Sequence, residues 1–109
     1  MSFDMNKLME QAAQMQEQVQ RMQEDAVKEV AESSVGGGMV KVKANGAGQV
    51  LSIEIAPDAI DPSDAEGLAD LVLAGVNEAL RSASAAVEAK AQAMQSELLG
   101  GLGLPGLGE

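Results

Sequence analysis

Gly36–Ile55 reads GGGMVKVKANGAGQVLSIEI, and its four parts decide the fold. Three successive glycines break the chain. Met39-Val40-Lys41-Val42-Lys43-Ala44 then alternates apolar and polar residues, the two-residue period of a strand with one buried face. Asn45-Gly46-Ala47-Gly48 is turn chemistry, because Asn and Gly tolerate the positive φ that tight hairpins demand. Gln49–Ile55 returns as the partner strand. Leu51, Ile53 and Ile55 share one face and match Val40 and Val42 across the hairpin, whereas Lys41, Lys43, Ser52 and Glu54 face the other way. The expectation is an antiparallel pair with one core face and one wet face. Just upstream, Val27–Val35 alternates more weakly, with Lys28, Val30 and Glu32 on one side and Glu29, Ala31 and Ser33 on the other. It reads as a first strand or as a frayed helix end.

Working outward, both flanks carry helical periods. From Asp4 to about Ala26, apolar residues fall at Met5, Leu8, Ala12, Met15, Val19, Met22 and Ala26, the alternating spacing of three and four that makes a heptad seam. Gln11, Gln14, Gln16, Gln18, Gln20 and Gln23 share the remaining faces with charged residues, and neither Gly nor Pro interrupts. Twenty-odd residues at about 1.5 Å each make a rod over ~30 Å long, more than a compact domain of this size can bury. The helix must project or pair with another chain. On the other flank Pro57 ends the strand, and Asp61-Pro62-Ser63-Asp64 predicts a helix start with Asp61 as N-cap and Pro62 at the first helical position. Leu68, Val72, Val76, Ala79, Ala83, Val87, Ala91, Met94 and Leu98 mark its apolar stripe. The Ala-rich stretch from Arg81 to Ala93 requires close approach to another backbone, and Gly75 is a candidate for such a contact. Residues 100–109, with five Gly and one Pro, read as a Gly/Leu-rich disordered tail beyond a single domain at 1–99.

Composition narrows the function classes. The 109 residues suffice for one domain. Apolar residues make up 46%, yet there is one Phe and no Trp or Tyr, so the core must be built from Ala, Val, Leu, Ile and seven Met. Each removes less area than an aromatic ring, and a partner chain would add what the monomer lacks. The chain also has no Cys and no His, which removes disulfides, thiolate metal sites and the usual nucleophiles and bases. Enzymatic activity, a cofactor and a small-molecule substrate are therefore not expected. Asp58, Asp61, Asp64 and Glu66 cluster, but the spacing is not that of an EF-hand loop and helix capping accounts for Asp61 and Asp64, so no metal is expected. Gly36-Gly37-Gly38 lies between strand-like segments and precedes no helix, which makes it a turn and not a phosphate loop. No window is apolar for the roughly 20 residues of a membrane span, and the expected location is the cytoplasm.

The formal net charge is −10, from 7 Lys plus Arg against 17 Asp plus Glu. The average field repels polyanions, so any nucleic-acid contact must use the few basic residues locally. These are Lys7, Arg21, Lys28, Lys41, Lys43, Arg81 and Lys90.

The order of motifs is similar to that of the YbaB/EbfC family of bacterial nucleoid-associated proteins. The resemblance runs from Met5-Asn6-Lys7-Leu8-Met9-Glu10-Gln11-Ala12, through Val35–Gly46 and Val50–Ile55, to Asp70–Arg81 and Gly100–Gly106, essentially the whole chain. It implies an α+β fold: an α-β-β-β-α protomer in which two long helices flank a three-stranded antiparallel sheet. It further implies a tweezers-like homodimer whose protruding helices hold double-stranded DNA, a location in the nucleoid and an influence on gene expression. Carried over by position, Lys7, Arg21, Lys28, Arg81 and Lys90 are the helix residues expected to meet phosphates. The charge departs from that role, since Asp4, Glu10, Glu17, Glu24, Asp25 and Glu29 outnumber the three cations of the first helical segment, and weak, largely non-specific binding is expected. A prefoldin-like or adaptor role, with paired helices clasping a protein client, is the competing reading and would suit the Met seam and acidic surface.

Overall fold

The computed structural model describes residues 4–101. The elements run α1 (Met5–Lys28), β1 (Val30–Val35), β2 (Val40–Asn45), β3 (Val50–Ile55), two 3₁₀ turns (Pro57–Ala59 and Pro62–Asp64) and α2 (Ala65–Gly101). This is the expected α+β layout, and Val27–Val35 resolves into the last turn of α1 followed by a true first strand.

Asp4 caps α1, its carboxylate accepting from the Lys7 amide at 3.2 Å. At the far end the Gly46 amide donates to both the Ala26 and the Glu29 carbonyls at 2.9 Å. The hairpin turn thus receives the carbonyls that a helix end leaves open, and anchors the end of α1 to the sheet. The strands pair antiparallel in the order β1-β2-β3. Gly36, Gly37 and Gly38 all adopt positive φ (63°, 67° and 91°), a run that only glycine sustains without strain. In the second turn Gly48 supplies the positive φ, and Asn45 keeps a negative one. The Asn45 carboxamide oxygen instead accepts from the Ala47 and Gln49 amides at 3.1 and 3.0 Å, and its nitrogen donates to Gln49 Oε1 at 2.8 Å.

α2 crosses one face of the sheet over β1 and β2, enclosing Val40, Val42, Ala44, Ala79 and Ala83. Gly75 has no room for a side chain against the sheet: a Cβ there would lie 2.9 Å from Val42 Cγ2. The buried Ser33 hydroxyl donates to the Gly75 carbonyl at 2.6 Å. The close approach expected at Gly75 occurs there and continues to Ala79 and Ala83, whereas of the Ala-rich stretch from Arg81 to Ala93 only Ala83 is buried.

Three expectations change. Register puts Ile53 opposite Val42 and Ile55 opposite Val40, with a bulge at Leu51, so β3 offers the core-side face as read. Yet Leu51, Ile53 and Ile55 are 50%, 44% and 37% exposed. A helix is about 10 Å wide and strands stand about 4.8 Å apart, so one helix roofs two strands and leaves the third open. Second, Asp61 and Pro62 begin a 3₁₀ turn, with the Ser63 amide and hydroxyl on the Asp61 carboxylate at 3.0 and 2.7 Å. Those hydrogen bonds hold the Asp61 carboxyl below its ordinary pKa. α2 itself starts at Ala65, where Asp64 accepts from the Gly67 amide at 3.1 Å. Third, α2 continues through Gly100 and Gly101, the first two residues of the segment read as a tail; residues 102–109 lie outside the described residues.

The molecule measures 76 × 33 × 17 Å with a radius of gyration of 21.0 Å, against about 13 Å for a compact chain of ~100 residues. The length lies in α1, in which no described residue is buried, and in the part of α2 beyond Val87. Both leave the sheet at the end marked by Gly46, which has Ala26 and Val87 against it.

Candidate nucleic-acid interface

The two projecting helices carry the five basic residues expected at phosphates, and the structure groups three of them. Lys7, Arg21 and Lys28 stand at whole-heptad separations on α1 with Gln14 filling the fourth place. Seven residues turn a helix by about 700°, so the four form one slightly drifting column some 30 Å long. The apolar seam of Met5, Leu8, Ala12, Met15, Val19, Met22 and Ala26 lies about 140° around the helix from it. A partner on the seam would leave the column facing out. The seam is bare in the protomer, with Met15 67% and Leu8 50% exposed.

Arg81 and Lys90 do not join this column. Nine residues apart on α2, they point to opposite sides of that helix. Lys90 is turned toward Glu29, which it meets at 2.5 Å, and Met22, Ala26, Val87, Ala91 and Met94 surround that contact in a small hollow where the helices meet. The hydrogen bond and charge of Glu29 raise the Lys90 pKa above its ordinary value. Chemically this is a clasp between the base of α1 and α2. Arg81 donates to Glu78 at 2.8 Å and Arg21 to Glu17 at 3.0 Å, each about one helical turn away. Lys7 and Lys28 have no carboxylate within ion-pair distance among the described residues.

The remaining cations, Lys41 and Lys43, lie on the polar face of the sheet. Lys43 approaches Glu32 at 3.9 Å, and Lys41 pairs in register with Glu54. Among the described residues no group of three or more carboxylates is placed to hold a metal ion, and no helix is long and apolar enough to cross a membrane.

Fold and surface together define a small α+β protomer with a pair of projecting helical arms and an uncovered sheet edge. The comparisons agree: residues 1–98 match the model of the YbaB/EbfC DNA-binding family, and the chain belongs to that family. It is 46% identical over 105 residues to a nucleoid-associated protein of Thermoanaerobacter pseudethanolicus, covering 96% of this chain and 91% of the relative. A nucleoid-associated protein of Pelotomaculum thermopropionicum is 44% identical over 107 residues, 98% of each chain. The crystal structure of an uncharacterized Helicobacter pylori protein has the same fold, with a TM-score of 0.65 at 22% identity over 90% of this chain and 99% of that one.

Proposed function

We propose that this chain works as a single-domain homodimer in the nucleoid, without enzymatic activity, holding double-stranded DNA between helical arms and thereby influencing gene expression. The observation that carries the reading is the column Lys7–Gln14–Arg21–Lys28, placed on the most exposed helix of a protein in a DNA-binding family. Three cations on one line give a rod-like duplex several phosphates to meet at once, although the whole molecule carries −10. Arg81 stands further up α2, over the sheet, as a secondary contact, whereas Lys90 acts on DNA only through the arm geometry its clasp sets.

The dimer is supported by what the protomer leaves bare. The apolar side chains of β3, its free strand edge and the α1 seam are surfaces that a monomer would expose to water at a cost of about 25 cal/mol per Å² of apolar area. A second copy presenting the same strand closes both edges by two-fold symmetry.

The test is fluorescence anisotropy of labelled duplex DNA at low salt, comparing wild type with the Lys7→Glu/Arg21→Glu/Lys28→Glu variant. A loss of at least tenfold, with helical circular dichroism retained, is expected. Unchanged affinity would remove the column from the interface, and protection of an aggregating protein client without DNA binding would favour the adaptor reading.

A further inference from the structure

We propose that Glu17 and Glu78 are built-in competitors for DNA phosphate, each occupying an arginine that a duplex must take over before that arginine contributes to binding. The inference rests on the DNA-binding reading and concerns how that same surface is set.

α1 carries two charge columns side by side: the basic one through Lys7, Arg21 and Lys28, and an acidic one at Glu10, Glu17 and Glu24, also heptad-spaced and rotated by roughly 60°. The acidic column is not uniformly engaged. Glu17 takes the Arg21 guanidinium at 3.0 Å, while Glu10 and Glu24 reach no cation within ion-pair distance among the described residues. On α2, Glu78 takes Arg81 at 2.8 Å. All four side chains of these two pairs are at least half exposed, so a phosphate can reach them, and exposed pairs of this kind are weak enough for a phosphate to displace. Each carboxylate takes one guanidinium N–H and sets a negative charge against it, so a phosphate approaching the same arginine meets like-charge repulsion until the carboxylate swings away. The consequence is a lowered set-point: Lys7 and Lys28 make first contact, and the arginines add affinity only after displacement. In a dimer each substitution acts on both arms.

The test measures the affinity of wild type, Glu17→Gln, Glu10→Gln and Glu78→Gln for one labelled duplex across a salt series. Glu10→Gln removes the same charge from the same column without freeing an arginine. Glu17→Gln and Glu78→Gln are expected to tighten binding about fivefold at ~50 mM salt and to steepen the salt slope, against twofold or less for Glu10→Gln. In an Arg21→Ala background the excess of Glu17→Gln over Glu10→Gln should vanish. Equal effects of Glu17→Gln and Glu10→Gln, or an excess that persists without Arg21, would reduce the effect to net charge and overturn the proposal while leaving DNA binding intact. No binding by any variant at the lowest salt would overturn the DNA reading and the competitor with it.

Discussion

Lys90 reaches from α2 to Glu29 at the point where β1 begins, and this pair gives the arms a pH-dependent joint. Its partner raises the Lys90 pKa above the ordinary 10.5. A raised pKa in the folded state means that the contribution to stability is fully present below the unfolded value and is lost as pH rises through the folded one. The thermal midpoint of the wild type should therefore fall as pH rises past the ordinary lysine value of 10.5 by more than that of Glu29→Gln, measured in parallel by circular dichroism. Equal falls would show that the contact adds nothing in solution. At this scale the sequence was readable where a residue's backbone chemistry settles its role. Gly75 marks the close approach, and Gly36-Gly37-Gly38 forms a turn of left-handed residues. Side-chain partnerships were not readable: Lys90 was placed by position alone, and its pairing with Glu29 follows from α1 and α2 meeting at Gly46, a tertiary fact.

Among the elements, β3 is the one whose role changes most between sequence and structure. Its alternation and register are legible in Leu51, Ile53 and Ile55, because a period of two needs only neighbours. Coverage depends instead on how many strands one helix can roof, and α2 stops at two. Ile53→Glu places a charge on the open strip, opposite Val42. It should convert the proposed homodimer, twice 11.2 kDa, to a monomer in light scattering, with the far-ultraviolet spectrum retained. A dimer that survives this change would mean that the β3 face is not the contact. In α1 the heptad seam was legible for the same reason as the strand. The basic column became visible only once the helix was known to run unbroken to Lys28, which places Lys7 and Lys28 three whole heptads apart.

For the whole molecule, length was the informative quantity. A helix too long to bury predicted projection, and the 76 Å extent answers it. The family was legible through the order of motifs along the chain, since no residue type here carries chemistry by itself. Net charge points against a polyanion partner, and the proposed function reconciles the two by geometry: in a protein at −10, DNA would meet the narrow basic column along one side of α1. The acidic field is screened within roughly 10 Å at ordinary salt. The three column cations and Arg81 on each of two protomers set an upper limit on the phosphates neutralised, and each contributes about 0.9 to the slope of log affinity against log salt. The most direct measurement is therefore the affinity of the wild-type protein for duplex DNA across a salt series. A straight line with a slope between about −2 and −5 is predicted, the shallower values reflecting arginines still held by Glu17. Binding that is absent at the lowest salt, or that does not change with salt, would contradict the account.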